Sequence, residues 1–181
     1  VTELFLPMVT KAEEPILARQ KFCEVAQYYQ EVFHASKQDY APLDQLRVTP
    51  LVEDVTSMLS IEDIVRPYWQ SLIDDGVDVT QHGLRLFLAR SDPALNSGMV
   101  AAVLAVKVAM SEAQRIAAEF NCPVHPILGT GALPFRGSVN PLYVDRFVEQ
   151  YAGARTYSIQ SAFRYDFHRE DVETALERMH K

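Results

Sequence analysis

Short apolar runs alternate along this chain with longer stretches in which apolar residues recur at helical spacing. Leu4 to Met8, Leu46 to Leu51, Leu84 to Ala89, Val124 to Leu128 and Thr156 to Gln160 are bounded by polar or turn-forming residues and read as five strands. Between them, Pro15 opens a helical pattern carrying Ile16, Leu17, Phe22, Val25 and Ala26. His34 to Asp44 is polar and reads as a loop. Asp54 is placed to cap a helix carrying Met58, Leu59, Ile61, Ile64 and Val65, after which Pro67, Tyr68 and Trp69 pack as a following segment. One long helix is expected from about Asn96 to Phe120, and a terminal one from about Arg169.

The strands are apolar at both parities, which predicts a parallel sheet covered on both faces. Five strands in β-α order fit an open doubly wound sheet or part of a (β/α)8 barrel, and periodicity does not separate the two. Residues 1–181 show no internal repeat, low-complexity tract or linker, so they form a single α/β segment. The opening, Val1-Thr2-Glu3 followed at once by Leu4-Phe5-Leu6, reads as a chain entered in mid-fold and has no signal-peptide pattern.

Composition narrows the class. With 48% hydrophobic and 23% charged residues, the 181-residue chain is ordinary for a globular protein, which excludes disordered and disulfide-scaffold classes. The net charge of -7 is spread through interleaved acids and bases. No Lys/Arg run can follow a phosphate backbone, so nucleic acid is not an expected partner. Met99 to Met110, interrupted by Lys107, is too short to span a bilayer. Cys23 and Cys122 lack metal-ligand spacing; they read as inert core or loop thiols of a reducing, cytoplasmic setting.

In either architecture functional groups gather at the carboxyl ends of the strands. The second strand ends at Glu53-Asp54, the third at Arg90-Ser91-Asp92-Pro93. The fourth runs into Gly129-Thr130-Gly131-Ala132-Leu133-Pro134-Phe135-Arg136-Gly137, and the fifth ends near Arg164. Glu53 and Asp92 could hold one Mg2+ or Mn2+, since such hard cations take one or two carboxylates and fill the octahedron with water and substrate oxygens. Equally, Glu53 or Asp54 could cap the next helix, and Asp92 could do so through its Asp-Pro turn. In the glycine-rich loop, Thr130, Gly131, Arg136 and Gly137 are candidates for contact with an anion, through close backbone N–H groups and a forked guanidinium. The loop matches no nucleotide-binding fingerprint. Arg90 and Arg164 could bind an acidic substrate or pair with Asp54, Asp92 or Asp166. His82 and His125 read as core or amino-rim residues. Together these groups suggest a cationic pocket with a divalent metal, suited to a small anion whose charge grows during reaction.

At these residues the chain resembles phosphoenolpyruvate carboxylase, most closely its short, archaeal-type branch. The match lies in Thr49-Pro50-Leu51-Val52-Glu53-Asp54, Phe87-Leu88-Ala89-Arg90-Ser91-Asp92-Pro93-Ala94, Gly129 to Gly137 and Thr156 to Asp166, in that order. The resemblance implies part of a TIM-type barrel, about its second half. It assigns Glu53 and Asp92 to the catalytic Mg2+ or Mn2+, and Arg136 to the bicarbonate-derived group. Two basic residues of the longer bacterial and plant enzymes are absent: Thr130 stands where one has arginine, and Leu95 lies near the place of a lysine. The family's amino-terminal His-Pro segment and its carboxy-terminal arginines are not in this chain either.

The implied reaction joins phosphoenolpyruvate and bicarbonate. Bicarbonate attacks phosphorus to give carboxyphosphate and the enolate of pyruvate; carbon dioxide is then released and captured as oxaloacetate. A cytoplasmic homo-oligomer is expected for the complete enzyme, and the chain alone is expected to be inactive. Two other readings stay open: a structural fragment whose sites form only with the rest of the barrel, and another metal-dependent pyruvate-enolate lyase or aldolase.

Overall fold

The computed structural model describes residues 3–33 and 46–179, apart from the side chains of Gln81 and His82. The expected loop from His34 to Asp44 lies outside the described residues. In chain order the elements are β1 (Glu3–Leu6), α1 (Glu13–Phe33), β2 (Arg47–Val52), α2 (Val55–Leu59), α3 (Ile61–Asp74), α4 (Val79–His82), β3 (Leu84–Ala89), α5 (Ser91–Ser97), α6 (Met99–Glu119), β4 (Val124–Gly129), α7 (Val144–Gln150), β5 (Thr156–Ser158), α8 (Ser161–Tyr165) and α9 (Arg169–Met179). Two 3-10 turns, Pro134–Arg136 and Pro141–Tyr143, lie between β4 and α7.

All five strands are parallel and their spatial order is their chain order, β1-β2-β3-β4-β5. A doubly wound sheet reverses direction at a switch point and scrambles that order. Strictly sequential neighbours are the arrangement of a half-barrel.

The two faces of the sheet differ in character. Side chains of one parity (Val48, Val52, Leu84, Leu86, Leu88, Val124 and Leu128) are buried in the main core with Ala105, Val106, Ala109, Ala113 and Ile116 of α6. The opposite parity carries Glu3, Phe5, Arg47, Thr49, Arg85, Phe87 and His125 and is mixed in character. There Phe5 meets Phe87 edge-to-face at 5.4 Å, and the Glu3 carboxylate accepts from Thr49 Oγ1 at 2.6 Å and Arg85 Nε at 3.1 Å. Strand β1, read as buried, is an edge strand whose Phe5 is 52% exposed. On this face Thr49 and Ile127 are nonetheless buried, at 1% and 3% exposure.

Three helix boundaries also differ. The helix expected from about Asn96 to Phe120 is α6, starting at Met99 after Gly98 (φ +87°), and the short helix α5 before it was not expected. Asp54 does cap α2, its carboxylate accepting from Ser57 N at 2.8 Å, but Ser60 interrupts before α3. Helix α3 then runs through Pro67, placing Tyr68 and Trp69 inside the helix and fully in the core. Tyr68 accepts a hydrogen bond from Val48 N at 3.0 Å, and burial pushes its phenol up.

Cys122 is buried, its thiol pushed up by desolvation and by Asp78, while Cys23 is half-buried on α1. His125 sits within β4 opposite Arg85, its imidazole held below the usual range by burial and then by Arg155 and Arg85. His82 closes α4.

Gly83 explains how His125 fits. Its φ is +69°, and a Cβ there would lie 2.4 Å from His125 Cδ2 and 3.1 Å from Pro123 O. Gly83→Ala is therefore expected to lower stability by about 2 kcal/mol or more, from left-handed strain plus the clash. Urea titration would read it as a lower midpoint; an unchanged midpoint would show that the turn is not constrained as described.

Candidate active site

Strands β2, β3 and β4 bring their carboxyl tips to one edge of the sheet. Leu51 pairs with Phe87 and Val52 with Leu88, so Glu53 leaves β2 level with the end of β3. Asp92 lies in the first turn of α5, directly beyond β3. The two carboxylates thus sit on adjacent strand exits at the same end of the sheet. Helix α5 also packs against the Pro134–Arg136 turn, so the Asp92 helix and the Arg136 turn are neighbours.

The capping alternative can now be decided. Asp54 caps α2, leaving Glu53 out of that role. At α5 the cap position is Arg90, with no side-chain cap bond, and Asp92 lies inside the first turn. Among the described residues neither Glu53 nor Asp92 has a hydrogen-bond or ion-pair partner. Glu53 is half-buried and Asp92 exposed. Two uncommitted hard oxygen donors on neighbouring tips suit a divalent cation that completes its shell with water and substrate. No group of three or more His, Cys, Asp or Glu placed to hold a metal occurs among the described residues.

The loop from Gly129 to Val139 is tightly folded on itself. Gly131 N donates to Arg136 O at 2.7 Å and Val139 N to Gly131 O at 3.0 Å. Gly137 N donates to Pro134 O at 3.1 Å, at φ +112°. The N–H groups of Gly131 and Gly137, considered as anion contacts, are thus spent inside the loop. Thr130 is likewise turned inward: it is 1% exposed, its N donates to Ser158 Oγ at 3.0 Å and its Oγ1 to Ser158 O at 3.1 Å. These three positions shape the loop and join it to β5. Arg136 is the group the loop presents. Its Nη1 donates to Gln160 Oε1 at 3.0 Å and its guanidinium lies 5.3 Å from the Phe135 ring.

Arg90 takes the structural of its two readings, with unexpected partners. At 2% exposure its Nε donates to Tyr151 Oη at 3.0 Å, Nη1 to Phe135 O and Nη2 to Met99 O, both at 3.3 Å. No carboxylate of Asp54, Asp92 or Asp166 is involved. The side chain straps the end of β3 to the Arg136 turn and to the start of α6. Its charge is held next to neutral acceptors, so it contributes a positive field beneath the loop. Arg164 is exposed on α8, 5.2 Å from the Tyr165 ring, in an open groove with Phe163, Arg169 and Leu176.

Sequence reasoning missed Tyr151 and Gln160. Gln160 was read only as the last residue of a strand, because an amide there carries no chemical signature until its neighbour is known.

Parallel strands in sequential order, with helices between them and polar side chains at their carboxyl tips, define an α/β half-barrel. The sequence model of the family described as phosphoenolpyruvate carboxylase matches residues 1–181. The chain belongs to the phosphoenolpyruvate carboxylase family. It is 38% identical over 183 residues to a phosphoenolpyruvate carboxylase of Methanopyrus kandleri, covering all of this chain and 33% of that protein. Similar relatives of the same name occur in Metallosphaera sedula (36% identical; all of this chain, 35% of the relative) and Oenococcus oeni (30%; 98% and 34%). The chain therefore spans about a third of the length of the curated relatives it matches. No helix among the described residues is long and apolar enough to cross a membrane.

Proposed function

We propose that this chain contributes the metal- and anion-binding part of a phosphoenolpyruvate carboxylase site, on what would close into a TIM-type (β/α)8 barrel together with the remaining two thirds of polypeptide that the relatives carry. The observation that carries the reading is the pair Glu53 and Asp92, both uncommitted at adjacent strand exits, beside the turn that presents Arg136. Glu53 and Asp92 would hold Mg2+ or Mn2+. When bound, that ion supplies a Lewis acid able to stabilise negative charge developing on an oxygen of the substrate.

The protein's own groups do the rest. Arg136 keeps one Nη on Gln160 and offers its remaining donors to the phosphate or carboxyphosphate that forms from bicarbonate, neutralising charge where it grows. Arg90 does not touch substrate in this reading; it braces the turn and adds its field from behind. Thr130, Gly131 and Gly137 fix the loop's shape, and Arg164 is kept as a more distant anion contact on α8. The complete enzyme is read as a cytoplasmic homo-oligomer.

Phosphoenolpyruvate and bicarbonate supplied to the complete enzyme are expected to yield oxaloacetate and phosphate, followed by coupled NADH oxidation. Chelation with EDTA is expected to remove the activity and added Mn2+ to restore it. Aldol or lyase products from pyruvate, with no oxaloacetate, would replace this reading with the other enolate chemistry.

A further inference from the structure

Gln160 occupies the cap position of α8, directly before Ser161, yet its side chain makes no cap bond. Its amide oxygen accepts instead from Arg136 Nη1 at 3.0 Å, across from one strand tip to the next. Space for that contact comes from Gly131. A Cβ at Gly131 would lie 2.2 Å from Gln160 Oε1, 2.7 Å from Gln160 Cδ and 3.1 Å from Arg136 Cβ. The φ of Gly131 is not in the left-handed region. This glycine is therefore required for room and not for backbone conformation. It is locked in place by its N–H on Arg136 O and its carbonyl on Val139 N.

We propose that Gln160 is a positioning residue for Arg136, and that Gly131 is the gap through which the two meet. A long arginine on a turn samples many rotamers, and each must be fixed before a charged donor can meet an anion in one geometry. Gln160 fixes it with a neutral acceptor. A carboxylate at this position would hold the guanidinium at least as firmly but cancel the charge the anion needs. The amide thus holds Arg136 without neutralising it. Phe135 under the guanidinium limits its other side. This inference rests on the role given to Arg136 above.

The test is a double-mutant cycle in the complete enzyme, with phosphoenolpyruvate saturating and bicarbonate varied. Gln160→Leu is expected to lower kcat/KM for bicarbonate about tenfold, the loss typical of one hydrogen bond to a charged group. In an Arg136→Ala background the same substitution should cause no further loss. Gln160→Glu should be at least as damaging as Gln160→Leu despite keeping the bond. Gly131→Ala should reproduce the defect in the native background and be tolerated beside Gln160→Ala, which frees the space. Equal losses from Gln160→Leu with and without Arg136 would overturn the proposal, as would a Gln160→Glu enzyme of full activity. Should Arg136→Ala itself retain full activity, the site assignment fails, and that outcome is separate from a normal Gln160→Leu enzyme with an impaired Arg136→Ala one.

Discussion

Glu53→Gln combined with Asp92→Asn is expected to weaken Mn2+ binding on the order of 100-fold or more, since removing even an outer-shell partner of a metal ligand costs 10–100-fold. Both replacements keep side-chain volume and remove only charge. Neither carboxylate holds another protein group among the described residues, so the fold should not notice their loss. The thermal midpoint of the metal-free variant should match the parent or rise slightly, because two nearby like charges have been removed. Binding is measured by following the Mn2+ electron paramagnetic resonance signal during titration. Equal affinity in parent and double variant would remove the metal assignment. An unfolded variant would instead show that the carboxylates are structural, contrary to their lack of partners.

The largest effect on stability is expected at Trp69. It is fully buried in the core on α3, and Trp69→Ala should cost about 3–5 kcal/mol through lost burial and a residual cavity. Its indole Nε1 is buried without a hydrogen-bond partner among the described residues. Trp69→Phe should therefore cost less than the lost ring area alone would suggest, because it also removes an unsatisfied donor. Urea unfolding of both variants checks the pair. A phenylalanine variant as unstable as the alanine one would mean that the indole nitrogen is satisfied after all.

How far this was legible in the sequence depended on which face a residue occupies. The five strands could be read within a few residues, because Leu84-Leu86-Leu88 and their counterparts form the helix-covered face of the sheet. The mixed character of the other face was hidden. Phe87 and Ile127 extend the apolar runs to both parities, which masks Arg85 and His125 on the same face. Barrel and doubly wound orders give the same one-dimensional pattern, so only the pairing register could choose. Glu53, Asp92 and Arg136 stand out as proposed site residues in the sequence because charge at a strand exit is conspicuous. Arg90 was visible as a cation but not as a buried strap, since its partners are two carbonyls and a phenol from distant segments. The short helix α5 went unread because Asp92-Pro93 looks like a turn in sequence.

The strand exits that carry Glu53, Asp92 and Arg136 lie about forty residues apart along the chain, each after its own strand, so every closure between them carries a sizeable entropic cost. No local piece of this polypeptide contains a precursor of the site. Under the proposed assignment, occupancy by a divalent ion reports that β2, β3 and β4 have already docked in register. An ion that recognises only the docked state would in turn shift the folding equilibrium toward it, which couples assembly of this segment to the supply of its own ligand.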